Sequence, residues 1–464
     1  MITRLKVSGF KNLFPVEACF GPLTGIAGLN GVGKSNLFDA LAFLKLLSSH
    51  SLMEAASQVR GGDQGLANLF TQKLSSRIDL DLDFLVPKSG IDDFGQPASA
   101  SATFLNYQLS LGLVNSPYPR LELVSEQLTQ IRKREAADKL KFAGRDWTES
   151  VLQTSSRSAP FISTDTNAGL IFRHQDQAAK KGGGNKWQFP SNTLTRTVLS
   201  SAQNAQESPT LVLARQCLMN IRFLQLEPSA LRLPDSFSSD NQLTSGGAHL
   251  PATLEYLSQK DPDCFFVALA NRLSTLVDNV ASVRVERDEA RKSLIVFLET
   301  QAGESFPASC LSDGTLRFLA LATLEKDPRV LGSFCLEEPE NGIHPERLTA
   351  ILKMLRAHAT DPSYSSDDYN PLRQVIFSTH SPALVEQMFP EEILFAVNDS
   401  AEWLGANRLS LIPIEGGWRK GRTVNPGDLM SYLNGTKWID LQELSADYAP
   451  STVMHWVQGK LFDQ

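Results

Sequence analysis

Eight residues near the N-terminus have the spacing of a loop that holds phosphate groups. Residues 28–35 read GLNGVGKS and fit the pattern G-x-x-x-x-G-K-[ST] in full. Glycines let the backbone curl so that successive N–H groups point inward, and the N-terminus of a following helix adds positive potential. Lys34 is predicted to contact the β- and γ-phosphate oxygens of ATP, and Ser35 is predicted to give Mg²⁺ an oxygen ligand. The predicted nucleotide-binding residues of this segment are Gly28, Asn30, Gly31, Val32, Gly33, Lys34, Ser35 and Asn36.

Two adjacent acids, Glu337 and Glu338, follow a short apolar run over 334–336. A buried strand that ends in two acids supplies the second half of a phosphate-loop site, because neighbouring side chains of a strand point in different directions. We assign Glu337 to the shell of Mg²⁺, through water, and Glu338 to the general base that polarises the attacking water. The alternative is two solvated glutamates at the end of a strand.

A third segment, LSDGT at 311–315, precedes an apolar run that predicts a helix over 316–324. A serine hydroxyl, a glycine N–H and the N-terminus of a helix together form an anion site. Ser312 and Gly314 are therefore candidate phosphate contacts. The alternative is an ordinary capped helix, with Ser312 or Asp313 as its N-cap.

The order of these segments resembles that of ABC ATPases, and in style it is closest to the RecF/SMC/OLD-like branch. Residues 311–315 resemble the LSGGQ signature, from which Asp313 and Thr315 depart. Residues 375–382, VIFSTHSP, resemble the switch-histidine segment, which implies that His380 reaches the γ-phosphate or the attacking water. The resemblance also implies an α/β fold: an ABC-ATPase head with a parallel or mixed phosphate-loop sheet, an inserted antiparallel β lobe and a helical subdomain.

Two further positions rest on the resemblance alone. SGFKN at 8–12 resembles the FKNF or FKSF start of this branch, which implies that Lys11 lies near the nucleotide. The Q-loop glutamine stays open between Gln127 and Gln153. The implied catalytic residues are Glu338, His380 and Lys34, and the implied ligands are ATP and Mg²⁺.

The resemblance implies that two copies close face to face around two ATP molecules. In this arrangement the Ser312–Gly314 turn of one copy meets the γ-phosphate held by the other copy. Stacking of such dimers into a larger assembly is left open. The expected enzyme activity is hydrolysis of ATP to ADP and phosphate.

Order and spacing also resemble the stand-alone AAA-labelled ATPases of bacteria, many of which are subunits of anti-phage or DNA-repair systems. No DxD pair follows His380, so we predict no nuclease in this chain. The favoured function is an ATPase that regulates a separate effector, a nuclease or toxin, in anti-phage defence. The alternative is a RecF-like ATP-dependent DNA-binding protein in repair, supported by cationic residues in 132–145 and 180–186, although such charge runs are more often solvated loops. An ATP-binding scaffold with little turnover is disfavoured by the paired glutamates.

Composition limits the class of protein. The chain has 464 residues, of which 42% are hydrophobic and 20% charged, and these are globular values. A formal charge of −7 argues against a protein that coats nucleic acid by bulk charge, but not against a local basic groove. The five cysteines are scattered without metal spacing, and no membrane span or signal peptide is apparent, so we expect a soluble cytoplasmic protein without a membrane partner.

Hydrophobic periodicity places these segments on strands and helices. Helices are predicted over 35–49 and 209–223, and a half-buried strand over 77–86. The predicted divisions of the chain are an N-terminal ATPase lobe (1–90), an inserted β-rich lobe (91–205), a helical and strand subdomain (206–305), a C-terminal ATPase lobe (306–400) and a C-terminal extension (401–464).

Overall fold

The computed structural model describes residues 1–71, 75–156, 159–176, 186–259, 261–401 and 406–435. Residues 180–185 of the predicted cationic segment, and the C-terminal extension beyond residue 435, lie outside the described residues. Within the described ranges, no helix is both long and apolar enough to cross a membrane.

The described residues form twenty strands. In chain order they are β1 (Ile2–Ser8), β2 (Val16–Cys19), β3 (Leu23–Ala27), β4 (Arg77–Leu85), β5 (Ser89–Ile91), β6 (Pro97–Ser99), β7 (Phe104–Val114), β8 (Arg120–Gln130), β9 (Ile162–Asp165), β10 (Leu170–His174), β11 (Lys186–Pro190), β12 (Arg222–Leu224), β13 (Asp235–Ser236), β14 (Val280–Asp288), β15 (Ser293–Thr300), β16 (Ser305–Pro307), β17 (Gly332–Glu337), β18 (Arg373–Thr379), β19 (Ile393–Ala401) and β20 (Ala406–Pro413).

The helices lie between these strands. In chain order they are α1 (Lys34–Leu47), α2 (Leu52–Gln58), α3 (Lys133–Lys139), α4 (Arg145–Val151), α5 (Pro209–Met219), α6 (Pro228–Leu231), α7 (Leu250–Ser258), α8 (Pro262–Ser274), α9 (Asp313–Lys326), α10 (Leu348–His358), α11 (Pro382–Val385) and α12 (Pro426–Leu433).

A six-stranded mixed sheet carries the chemistry predicted from the sequence. Its strand order is β12-β17-β18-β3-β19-β20, with β12 to β19 parallel along this order and β20 antiparallel at the edge. The carboxyl ends of neighbouring parallel strands meet at one edge, so the loops after β3, β17 and β18 emerge side by side. The predicted α/β class with a mixed sheet is confirmed.

The predicted antiparallel strands belong to a second sheet. It has eight strands in the order β11-β10-β9-β8-β7-β4-β1-β2, and all of its pairings are antiparallel. The sheet therefore extends from the N-terminal strands into the region predicted as an inserted lobe, across the boundary at residues 90 and 91. The domain division itself stays a prediction.

The six-stranded sheet separates two hydrophobic cores. Along β18, Ile376 belongs to the core that contains α1 and the eight-stranded sheet, whereas Val375 and Phe377 belong to the core that contains α9 and α10. Successive side chains of a strand point to opposite faces, and here both faces are covered. That double coverage explains why β17 and β18 read as continuous apolar runs rather than as alternating ones.

One helix ends earlier than its sequence pattern predicts. The helix predicted over 209–223 ends at Met219, and Arg222–Leu224 forms β12 instead. Strand β12 pairs in parallel with β17, and Asn220 packs against the backbone of Gly332 at the start of β17. Tertiary pairing therefore overrides the local helical pattern at the end of this segment.

Candidate nucleotide-binding and hydrolysis site

The predicted phosphate loop connects β3 to α1. Helix α1 begins at Lys34 with Gly33 as its N-cap at φ 106°, and Gly31 has φ 83°. Both glycines lie in the left-handed region, which side chains disfavour. A Cβ atom on Gly33 would lie 2.3 Å from the side-chain amide nitrogen of Asn12, whereas one on Gly31 would meet nothing within 4 Å. The loop is therefore tightly packed where the helix begins and open at its tip.

Neighbouring strands hold the base of this loop. The Gly28 N–H donates to the Thr379 carbonyl over 3.1 Å, and a Cβ on Gly28 would lie 2.4 Å from the carbonyl oxygen of Ala396. Val32 is buried, while Asn30 is exposed. The base of the loop is thus fixed to β18 and β19, and its tip faces solvent.

Asn12 supports the loop from the side, and it is not among the residues predicted from the sequence. Its side-chain oxygen accepts a hydrogen bond from the Asn36 amide over 2.8 Å, and its own amide donates to the Val32 carbonyl over 3.4 Å. Asn12 follows Lys11 in the N-terminal segment whose family resemblance is described above. That resemblance was the available signal for a role of this position.

Lys11 lies next to α1, but its ammonium group is already paired with a carboxylate. Its Nζ donates to Asp39 over 2.6 Å and to the Arg60 carbonyl over 2.8 Å. Arg60 also donates to the same carboxylate. A contact between Lys11 and nucleotide stays a prediction.

The ammonium group of Lys34 lies inside the curl of the phosphate loop. It donates to the carbonyls of Gly28, over 2.5 Å, and Leu29, over 3.0 Å. Burial lowers the pKa of Lys34, while the charges of three nearby glutamates, Glu338, Glu340 and Glu337, act in the opposite direction. The loop lysine and the predicted acid pair therefore share one electrostatic environment.

The two predicted magnesium ligands are in direct contact. The Ser35 hydroxyl donates to Oε2 of Glu337 over 2.8 Å, although the two residues come from distant parts of the chain. Serine and carboxylate oxygens at one point are donors that Mg²⁺ prefers. The residues present therefore fit a magnesium ion that Ser35 and Glu337 would hold.

Glu338 and His380 form a second pair beside the first. Nδ1 of His380 lies 2.9 Å from Oε1 of Glu338, and the Asn341 amide donates to Oε2 over 2.7 Å. Glu338 has a φ of 49°, and its N–H donates to the Ser378 carbonyl over 3.0 Å. A left-handed backbone at a glutamate is uncommon, and here it accompanies a side chain fixed on both oxygens.

A third glutamate, Glu340, is buried behind this pair. One of its carboxyl oxygens accepts from the Thr379 hydroxyl, and the other has no hydrogen-bond partner in the described structure. Burial raises the pKa of Glu340. Glu340 is not among the residues predicted from the sequence, although its place two positions after Glu338 was a usable signal.

The Ser312 turn caps α9. The Ser312 hydroxyl accepts from the Thr315 N–H over 3.2 Å, so Ser312 is the N-cap of this helix. Arg232 donates to Asp313 over 2.5 Å, and a Cβ on Gly314 would lie 3.5 Å from the Gly342 carbonyl in the loop after β17. Ser312 is exposed. An anion-binding role for Ser312 and Gly314 stays a prediction that this capping does not oppose.

The glutamines considered for the Q-loop lie elsewhere. Gln127 pairs with Gln108 within the eight-stranded sheet, and the Gln153 amide donates to the Ala100 carbonyl. Gln225 instead follows β12 and lines a cavity of about 300 Å³ together with Glu337 and Glu338. Gln225 is thus a further candidate for the Q-loop position, and it did not stand out in the sequence because the segment before it was predicted as the end of a helix.

Comparison with a family model locates a known domain in the central part of the chain. Residues 199–386 match the family described as "AAA domain, putative AbiEii toxin, Type IV TA system". This match includes Ser312, both paired glutamates and His380, and it begins after the phosphate loop.

Similar sequences include proteins named DNA replication and repair protein RecF. The one from Lactobacillus delbrueckii subsp. bulgaricus is 34% identical over 90 residues, which are 19% of this chain and 23% of the relative. The one from Paenarthrobacter aurescens is 27% identical over 171 residues, which are 34% of this chain and 43% of the relative. The chain thus spans less than half the length of these relatives.

Solved structures with a similar arrangement include heads of SMC proteins. The crystal structure of the SmcHead bound to the C-winged helix domain of ScpA has a TM-score of 0.48 at 14% identity, covering 89% of this chain and 98% of that chain. The SMC head domain from Thermotoga maritima has a TM-score of 0.39 at 10% identity, covering 89% of this chain and 99% of that chain.

Proposed function

We propose, from the premise that this chain is a RecF/SMC-like ABC ATPase, that two copies close around two ATP molecules and hydrolyse them to ADP and phosphate. The AAA/ABC ATPase family implies ATP hydrolysis at the level of the family. The observation that carries the proposal is a pair of contacts at one edge of the six-stranded sheet, Ser35 with Glu337 and Glu338 with His380.

In this proposal the phosphate loop binds the triphosphate. The loop N–H groups and the N-terminus of α1 supply positive potential, and the open space beside Gly31 leaves room for phosphate oxygens. Lys34 exchanges its two carbonyl acceptors, Gly28 and Leu29, for the stronger charge-assisted bonds of phosphate oxygens. Ser35 and Glu337 would hold Mg²⁺, which would supply charge neutralisation to the triphosphate.

Glu338 is the general base in this proposal. Asn341 and His380 each contact one of its carboxylate oxygens, so the side chain is held in one orientation while each oxygen keeps a further lone pair for a water proton. His380 positions the carboxylate. It is also placed to contact the water or the γ-phosphate on the side that faces away from Glu338.

A second copy completes the site. Helix α9, which begins at Ser312, packs in the core on one face of the six-stranded sheet, whereas α1, which begins at Lys34, packs in the core on the other face. The exposed Ser312–Gly314 turn is therefore available to the nucleotide of a neighbouring molecule. This arrangement supports a dimer with two shared sites.

For the role of the dimer we favour control of a separate effector, a nuclease or a toxin, in anti-phage defence. The support is the family model, whose description names a putative toxin. In this proposal ATP closes the dimer, hydrolysis opens it, and the effector is held in one of the two states.

ATP-dependent DNA binding in repair is the second candidate. It is supported by relatives named DNA replication and repair protein RecF, which match part of this chain. Two measurements separate the two candidates. A nuclease or toxin that co-purifies with the protein, detected by native mass measurement with ATP, favours the first. Salt-sensitive binding of DNA favours the second.

Hydrolysis and its base are tested by Glu338→Gln. We expect this change to lower the rate of phosphate release by about 10²- to 10⁴-fold, because the amide cannot accept the proton of water. Binding of Mg-ATP, measured by calorimetry, is expected to persist, since the loop and Ser35 are unchanged.

The matched control is Glu346→Gln, which removes an equal charge from a side chain that is 86% exposed. It is expected to hydrolyse ATP at the parent rate. Equal hydrolysis by Glu338→Gln and the parent would show that Glu338 is not the base. Absence of heat on addition of Mg-ATP to the parent would end the proposed function.

A further inference from the structure

A groove on the edge of both large sheets, away from the nucleotide site, concentrates positive charge. It has a volume of about 720 Å³ and lies between α3, the β2 and β20 edge strands and the segment 418–422. We call it the basic groove. Its charged lining residues are seven cations and three acids: Arg4, Lys139, Lys141, Arg408, Arg419, Lys420, Arg422, Glu17, Asp83 and Asp138.

Of the three acids that line the basic groove, Asp83 is engaged at its floor, whereas Glu17 and Asp138 are exposed. Asp83 is fully buried and accepts from Arg4 over 2.8 Å and from Lys139. Arg419 is buried as well and donates to backbone carbonyls, including that of Cys19 over 2.7 Å. These groups build the walls, so the charge available to a ligand lies elsewhere in the groove.

The available charge lies at Lys141 and Lys420, which are both exposed. Both side chains line the basic groove, and the interaction with Lys420 lowers the pKa of Lys141. Lys141 also forms an ion pair at 3.7 Å with the exposed carboxylate of Asp138, one turn earlier in the chain. Two adjacent cations at the mouth of a groove repel each other unless an anion lies between them, so this place favours an anionic ligand.

The basic groove also has an aromatic wall. The ring centroids of Trp418 and Phe142 lie 5.2 Å apart, and the guanidinium of Arg419 lies 4.7 Å from the Trp418 centroid. Trp418 is half-buried, so part of its ring borders the groove. Cationic side chains next to aromatic rings are the composition of surfaces that bind nucleic acid strands.

The wall of the basic groove is attached to the strand that carries the phosphate loop. Arg419 donates to the Thr24 hydroxyl in β3 over 3.2 Å and to the Ile393 carbonyl in β19 over 3.3 Å. Strand β3 continues directly into the loop at Gly28. A ligand in the groove therefore lies one strand away from the nucleotide site.

We propose that the basic groove binds the phosphate backbone of a nucleic acid strand, with Lys141 and Lys420 as phosphate contacts. This inference rests on the DNA-binding candidate of the proposed function and gives it a location. A chain of net charge −7 repels polyanions elsewhere on its surface, so a local positive groove also orients the nucleic acid on approach. Lysine contacts to phosphate carry no sequence information, and the binding is therefore expected to be indifferent to sequence.

The test is the charge-reversed pair Lys141→Glu with Lys420→Glu in the full chain. Fluorescence anisotropy of labelled 30-mers, single-stranded in one arm and duplex in the other, is measured across a salt series. We expect the variant to bind the preferred form at least about 10-fold more weakly. We also expect the slope of log K against log salt to fall by about 2, because each phosphate contact contributes about 1.

The matched control is Lys88→Glu with Lys353→Glu, which makes the same change in net charge at exposed lysines outside the basic groove. It is expected to keep the parent salt slope, and both variants are expected to keep the parent rate of ATP hydrolysis and the parent melting temperature. An equal loss of affinity in both variants, or none in either, would refute the groove while leaving a DNA-binding function in place. Failure of the parent to bind either form of DNA would refute both.

Discussion

At the scale of single residues, the unusual feature is the backbone of Glu338. Its φ of 49° costs about 1 to 2 kcal/mol relative to a right-handed conformation. The N–H of Glu338 is bonded to Ser378 in β18, and its side chain reaches the histidine two residues further along that strand and loop. Because of the left-handed turn, the pairing of β17 with β18 brings two predicted catalytic side chains, Glu338 and His380, into contact.

Because Glu338 and His380 touch, their effects on hydrolysis are expected to be non-additive. We expect Glu338→Gln and His380→Ala each to lower kcat, and the double variant to lie within about threefold of the slower single variant. The measurement is steady-state ATP hydrolysis of all four proteins of the cycle.

A second double-mutant cycle combines Glu338→Gln with Lys11→Met, and it serves as the reference for the first cycle. Lys11 bonds to Asp39 and to the Arg60 backbone, so it shares no contact with Glu338, and its effect is expected to multiply with that of the base variant. Multiplicative effects in the Glu338 and His380 cycle as well would mean that the two residues act independently.

At the scale of elements, local signals predicted the phosphate loop and missed features that depend on pairing. The loop and the start of α1 follow from glycine spacing within eight residues, which needs no distant partner. Strand β12 and Gln225 depend on β17, more than a hundred residues later, and no local pattern marks them.

Arg419 gives a second example of a position that local reading cannot resolve. Its run of cations and turn residues is typical of a solvated loop, yet the side chain is buried against Cys19, Thr24 and Ile393. Two carbonyls and one hydroxyl from three separate segments act as acceptors, and a local sequence pattern does not reveal them. The contact between the two predicted magnesium ligands, by contrast, was predictable because each lies at or after the end of a recognisable strand.

Glu126 is an element-scale contact with a pH dependence. It is fully buried in β8 and accepts from the Val198 and Leu199 N–H groups, over 2.6 and 2.8 Å, and from the Tyr107 hydroxyl over 3.0 Å. Burial raises the pKa of Glu126 to about 7, although these donors act in the opposite direction. The carboxyl group thus joins the eight-stranded sheet to the short helix at Leu199–Ser201.

Opening of the 197–202 segment is therefore expected to become easier as pH rises. Below the ordinary carboxyl pKa, Glu126 is protonated whether the segment is closed or open. Between that value and about pH 7 only the closed form keeps its proton, so deprotonation favours opening. Hydrogen exchange corrected for the intrinsic rate is expected to show protection of this segment falling about 10²-fold from pH 5 to pH 8.

The corresponding variant is Glu126→Gln, in which the pH dependence of this segment is expected to disappear. Residues 375–379 of β18, which do not contact Glu126, serve as the reference within each sample. Protection of 197–202 that stays constant with pH in the parent would contradict the raised pKa.

At the scale of the whole molecule, the six-stranded sheet keeps the two predicted phosphate contacts apart. Lys34 and Ser312 each begin a helix, and the two helices pack in cores on opposite faces of the sheet. One copy therefore presents a phosphate loop and an exposed serine turn as separate surfaces. Two copies related by a twofold axis would bring each loop to the other copy's turn, because such interfaces use the same surface on both sides.

The dimer is tested at Ser312, where a charge can be added without loss of the helix cap. Aspartate and asparagine cap a helix about as well as serine does, so Ser312→Asp and Ser312→Asn are both expected to keep α9 intact. Aspartate places a negative charge against the γ-phosphate of the other copy, whereas asparagine is neutral.

In a Glu338→Gln background that retains ATP, sedimentation velocity is expected to show ATP-dependent dimers for the parent and for Ser312→Asn. Ser312→Asp is expected to remain monomeric, while its monomer still binds ATP. Dimers of Ser312→Asp at the parent concentration would show that this turn does not meet the nucleotide of a second copy.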